Sequence, residues 1–80
     1  MSLTHERVRE DVADVLSEQP AEISDDENLL DRGLDSIRVM SLVERWRAAG
    51  VNTTFIELAE RPTVTAWWQL ISDRMKENDR

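Results

Sequence analysis

Eighty residues with a formal net charge of −7 and no cysteine make one small domain, with room for a single core and none for an extensive enclosed active site. The negative balance disfavours nucleic acid and anionic membranes as partners, and the missing cysteines exclude disulfides and thiolate metal sites. No apolar run approaches a membrane span and no secretory leader is legible, so the cytoplasm is the expected compartment.

The first predicted element is a helix over residues 3–17. Val8, Val12, Val15 and Leu16 fall on one face at helical spacing, with charges between them. Gln19-Pro20 ends it, because the residue before a proline avoids the helical region. Residues 18–35 follow as a connection too long for a simple turn, and long connections in compact domains tend to be functional. Ile23, Leu29, Leu30 and Leu34 are expected to pin it to the core, and Ser24-x-x-Glu27 to cap one short turn within it.

Asp35 is a good N-cap for a second helix over residues 36–49, which Gly50 ends. Val39, Leu42, Val43 and Trp46 cluster on one arc and form its core face. Ile37 and Met40 fall outside that arc, beside Glu44 and Arg47, where packing gives no reason for apolar side chains; with Ser36 they outline a docking patch. Three arginines against one glutamate give residues 36–49 a net charge of +2, leaving −9 for the rest of the chain. Arg38, two residues from Ser36, is the basic residue best placed to contribute to a partner contact.

Thr54-x-x-Glu57 is a capping box for a short third helix over about residues 54–60, where Phe55 and Ala59 share a face that either extends the patch or turns Phe55 into the core. A fourth helix starts at Pro62-Thr63, with Val64, Trp68, Ile71 and Met75 as its buried stripe and Trp67 at the edge. The charged residues from Asp73 onward are expected to fray. The expected fold is an all-α four-helix bundle with a long first loop and a short third helix, occupying residues 1–80 with its core at about 3–72.

Ser36 has no visible means of unaided nucleophilic attack. The single histidine, His5, lies in the first helix, and the nucleophile-elbow pattern is absent because Asp35 precedes the serine and Ile37 follows it. The acidic run Ser24–Asn28 fails the calcium-loop register, since Leu29 and Leu30 fall where a ligand and a glycine belong. What Ser36 can do is carry an anionic group, which the N–H donors and positive dipole end of a helix start would stabilise.

The segment Asn28-Leu29-Leu30-Asp31-Arg32-Gly33-Leu34-Asp35-Ser36-Ile37 resembles the phosphopantetheine attachment motif of carrier proteins. The resemblance covers residues 5–72 and implies an acyl-carrier-protein type of bundle. It also implies a covalent 4′-phosphopantetheine on Ser36, with Asp35 as motif residue and helix cap. Ser36-Ile37-Arg38-Val39-Met40, Val43–Arg47, Thr54–Ala59 and Arg61–Trp68 are similar to the aryl carrier domains of isochorismatase–aryl carrier proteins. Those serve siderophore assembly by nonribosomal peptide synthesis. The resemblance implies a monomeric carrier, not itself an enzyme. A phosphopantetheinyl transferase would modify it, and an adenylating enzyme would load it with an aryl acid such as 2,3-dihydroxybenzoate or salicylate. A condensation domain would then unload it. Ile37, Arg38, Met40, Phe55 and Ala59 form the expected partner face, and the arm's thiol would be the only thiol present. A peptidyl or acyl carrier for another substrate remains open, as does an unmodified helical interaction module. Met1 is compatible with a free-standing protein and with a domain of a longer chain.

Overall fold

Two long helices bury an apolar stripe against the first, a short one packs on the second, and a turn of the long connection packs on the first. The computed structural model describes residues 3–78. Helix α1 runs from His5 to Leu16, with Thr4 as N-cap accepting from the Arg7 N–H. Ser17, in the left-handed region at φ 58°, closes its end. Helix α2 spans Ser36–Ala48, α3 spans Phe55–Glu60, and α4 spans Val64–Asn78. Helix α1 packs on both α2 and α4, and α2 packs on α3. The all-α four-helix architecture expected from the sequence is the one observed.

The core joins Val8 and Val12 of α1, Leu42, Val43 and Trp46 of α2, Leu58 of α3 and Val64, Trp67 and Ile71 of α4. Trp46 and Trp67 meet edge to face with ring centroids 5.8 Å apart. Each indole N–H finds an acceptor, which is what permits full burial: Trp46 donates to Asp11 Oδ2 at 2.8 Å, and Trp67 to the Leu58 carbonyl at 2.9 Å. The expected order of the two α4 tryptophans is therefore reversed. Trp67 is the core residue, while Trp68 is half-buried and stacks on His5. Val15 and Met75 likewise sit at the margin of the core.

The long connection contains two single turns of 3₁₀ helix, Pro20–Glu22 and Leu29–Arg32. Glu27 accepts from the Ser24 N–H at 2.7 Å, as the local pattern anticipates, and Arg32 binds the same carboxylate at 2.8 Å. That hydrogen bond from Arg32, followed by the Ser24 N–H, holds the Glu27 carboxyl below the usual carboxylate range. Asp25 accepts from His5 and is ion-paired with Arg9, and the Leu29 N–H donates to the Pro62 carbonyl at 2.8 Å. Ile23, Leu29 and Leu34 pin the connection to the core, but Leu30 is 56% exposed. In so short a turn, adjacent residues cannot both face inward, and Leu29 takes the inner position.

The charged end of α4 does not fray: the helix continues to Asn78, and residues 79–80 of the expected tail lie outside the described residues. Arg74 forms a two-pronged pair with Glu57 and donates to the Asn52 carbonyl, so the tail is fastened to α3 and the segment before it. This pair is the main reason the Glu57 carboxyl is held below its ordinary range, with the Thr54 hydroxyl adding to it. Glu57 also completes the capping box with Thr54.

Candidate functional site

The site is built by a change of chain direction. Gly33 adopts φ 93°, a left-handed conformation that a side chain would strain, and it closes the second 3₁₀ turn by donating to the Leu30 carbonyl at 3.2 Å. Leu34 then plunges into the core and Asp35 emerges as the N-cap of α2. Ser36 thereby becomes the first residue of the helix, exposed, and its hydroxyl makes no hydrogen bond among the described residues.

Asp35 Oδ1 accepts the Arg38 N–H at 2.9 Å, and Asp35 Oδ2 is paired with the Arg38 guanidinium at 2.6 Å. The backbone donor is the largest cause holding the Asp35 carboxyl below the usual range; the charge of Arg38 adds to it and partial desolvation opposes it. Asp35 is therefore anionic at neutral pH, with its charge matched locally.

Two shallow grooves flank the helix start. Ser36, Ile37, Met40, Ser41 and Glu44 line one, of about 480 Å³. Asp14, Val15, Asp35, Ile37, Arg38, Ser41 and Arg45 line the other, between α1 and α2. Ile37 is 79% exposed and Met40 42%, so the apolar residues expected outside the core arc are indeed at the surface, next to the serine. Phe55, at 37%, and Ala59 are exposed on α3 but do not line the serine's groove. Leu30 and, at 67% exposure, Ile56 are surface apolar residues absent from the patch expected from the sequence. Ile56 was legible in principle, as an apolar residue beside Phe55 on a helix too short to bury both.

The arginines of α2 are less available than their count implies. Arg45 bridges Asp14 at 2.9 Å and Asp11 at 3.3 Å, and these acceptors, Asp14 first, push its pKa up. Arg38 is held by Asp35 and by the Val15 carbonyl at 3.0 Å. Of the three α2 arginines, only Arg47 has no ion pair among the described residues. His5 is engaged by Asp25 and Trp68, which leaves Ser36 with no base of its own among the contacts of this chain. Among the described residues no group of three or more His, Asp or Glu side chains is arranged to hold a metal ion, and no helix is long and apolar enough to cross a membrane.

Residues 6–71 match the family described as the phosphopantetheine attachment site. The chain is 51% identical over 74 residues to an isochorismatase of Bacillus subtilis, covering 92% of this chain and 24% of that protein. It is 49% identical over 72 residues to the acyl carrier protein ScoB of Streptomyces coeruleorubidus, covering 90% of this chain and 85% of ScoB. It is 45% identical over 69 residues to enterobactin synthase component B of Escherichia coli, covering 86% of this chain and 24% of that protein. The chain thus spans about a quarter of two of these relatives and most of the third.

Proposed function

Because the chain belongs to the phosphopantetheine attachment-site family, and so is a carrier rather than a catalyst, we propose that it is an aryl carrier protein whose arm is bonded to Ser36 Oγ. The observation that carries this reading is an exposed, unbonded hydroxyl on the first residue of α2, inside the matched segment and beside an apolar groove. A phosphodiester there faces the positive end of the helix dipole, while Arg38 offsets the nearby Asp35 carboxylate.

In the modification, Ser36 Oγ attacks the phosphorus that links pantetheine to the nucleotide of coenzyme A. The O–P bond to Ser36 forms, the bond to 3′,5′-ADP breaks, and the serine proton passes to a base of the transferase. When attached, the arm supplies a thiol that holds an acyl group as a thioester. The chain itself contributes the hydroxyl, its placement at a helix start, and a face on which partners dock: Ile37 and Met40 on α2, Phe55 and Ala59 on α3. The phosphopantetheinyl transferase, an adenylating enzyme and a condensation domain use that face in turn, in the cytoplasm, with the carrier as a monomer.

The aryl assignment rests on the resemblance of the segments from Ser36 to Trp68, and on finding an isochorismatase and enterobactin synthase component B among the relatives. On this reading the carrier serves siderophore assembly by nonribosomal peptide synthesis. The likeness to ScoB, named an acyl carrier protein, favours a second reading in which the cargo is a different acyl group. Incubation of the modified chain with ATP, radiolabelled salicylate or 2,3-dihydroxybenzoate and a matching ligase separates the two. Label is expected on the protein as a thioester, released by hydroxylamine. Loading by amino-acid adenylation domains alone contradicts the aryl reading.

A further inference from the structure

Taking Ser36 as the attachment point, we propose that Arg38 is a positioning residue for its modification: it locks the Asp35 cap and ties the start of α2 to the end of α1, so that Ser36 is presented in one geometry. The sequence places Arg38 in the expected partner face; the task proposed for it here runs through Asp35 and needs no partner contact.

The first observation is the grip on Asp35. Arg38 occupies both carboxylate oxygens, Oδ1 through its backbone N–H at 2.9 Å and Oδ2 through its guanidinium at 2.6 Å. The second is the reach across the fold. Its Nε donates at 3.0 Å to the carbonyl of Val15, in the last turn of α1. That turn has no basic residue of its own, and its neighbouring carbonyls are already served: Ala13 accepts from the Glu18 N–H and Asp14 from the Ser17 N–H. Arg38 therefore supplies the Val15 carbonyl with a donor and, alongside Arg45 at Asp14, a cation at the negative end of the α1 dipole.

The third observation is the side on which this happens. Residues two apart on a helix do not face each other, and the grooves reflect it: Ser36 lines one and Arg38 the other. Arg38 thus acts on Ser36 through Asp35 and the helix start rather than by contact with the hydroxyl. A half-exposed i,i+3 pair on its own adds little to stability. The fork matters because a lysine, with one compact ammonium, cannot hold a carboxylate and a distant carbonyl at fixed geometry together.

The test measures transfer from coenzyme A by a broad-specificity transferase, with amide hydrogen exchange on the same unmodified proteins. If the helix start is competent only part of the time without its clamp, apparent affinity falls by that fraction, so Arg38→Ala is expected to raise KM for the carrier about fivefold with kcat within about twofold. Exchange at the Ile37 and Arg38 amides is expected to accelerate about tenfold while the core amides of Leu42 and Val43 stay protected, since local opening at a helix end is separable from global unfolding. Arg38→Lys is expected to recover part of the loss. Asp35→Asn and Arg38→Ala combined should cost little more than Asp35→Asn alone, because both changes break one coupled unit. Unchanged KM and unchanged exchange in Arg38→Ala overturn the proposal. So does slower transfer with unchanged exchange and effects that multiply with Asp35→Asn, the signature of a direct partner contact. Failure of the wild type to accept any phosphopantetheine would instead defeat the reading of Ser36, and the exchange data would still decide the clamp.

Discussion

Asp11→Ala is expected to destabilise the fold by about 2–4 kcal/mol, the larger part of it from one orphaned donor. Asp11 is 4% exposed and lies under α2, where Oδ2 takes the Trp46 indole N–H at 2.8 Å. Its Oδ1 is shared by Arg7 at 3.2 Å and Arg45 at 3.3 Å. Alanine leaves the indole N–H of a fully buried tryptophan without an acceptor and removes one of the two α1 carboxylates that hold Arg45. A chain of this length has a total stability of only roughly 4–12 kcal/mol, so the loss is a large fraction of it. The melting midpoint should fall by roughly 10–25 °C in thermal unfolding followed by circular dichroism. Asp11→Asn keeps an acceptor for the indole and should recover about half of the loss. A drop below about 3 °C for Asp11→Ala would show that the Trp46 hydrogen bond is replaceable.

Met40→Asp and Phe55→Asp are expected to act in the opposite sense, sparing the fold and impairing traffic through the carrier. Both side chains are partly in water already, Met40 at 42% and Phe55 at 37%, and neither belongs to the buried core. Phe55 opens α3, where a carboxylate complements the helix dipole. Stability should therefore change by less than about 1 kcal/mol. At a docked partner the same carboxylates would be stripped of water with no counter-charge, and acyl transfer to a condensation domain should slow by about 10- to 100-fold. Single-turnover transfer from the loaded carrier measures this, with helicity as the control. Undiminished transfer at full helicity removes these residues from the docking face; collapsed helicity returns them to the core.

The helix starts were legible because capping is local. Asp35 before Ser36, and Thr54 with Glu57, each satisfy N–H groups within one turn, and the structure shows those bonds. Apolar periodicity located Val8, Val12, Leu42, Val43 and Trp46 for the same reason: one helix carries the whole signal. What escaped was settled between elements. Asp11 reads as one of the charges interleaving the α1 stripe, until the indole of Trp46 arrives from α2 to make its burial tolerable. Periodicity with Val64, Ile71 and Met75 favours Trp68 for the core, yet Trp67 takes the buried place because its indole N–H reaches the Leu58 carbonyl of α3. Arg38 and Arg45 look like free cations along α2, yet their acceptors include Val15, Asp11 and Asp14 of α1. The end of α4 looks ready to fray until Glu57 of α3 pairs with Arg74. At the site, the serine, its cap and the two exposed apolar residues of α2 were readable from the helix alone. The engagement of Arg38 was not.

On the proposed function, Ser36 Oγ is the one point at which this chain receives its arm. The intact mass of the wild type and of Ser36→Ala, each incubated with coenzyme A and a broad-specificity phosphopantetheinyl transferase, tests it most directly. The wild type is expected to gain the mass of a single phosphopantetheine, and Ser36→Ala, folded to the same helicity, none. A wild type that stays unmodified while an established carrier in the same reaction is converted, or a Ser36→Ala chain that gains the same mass, would contradict it.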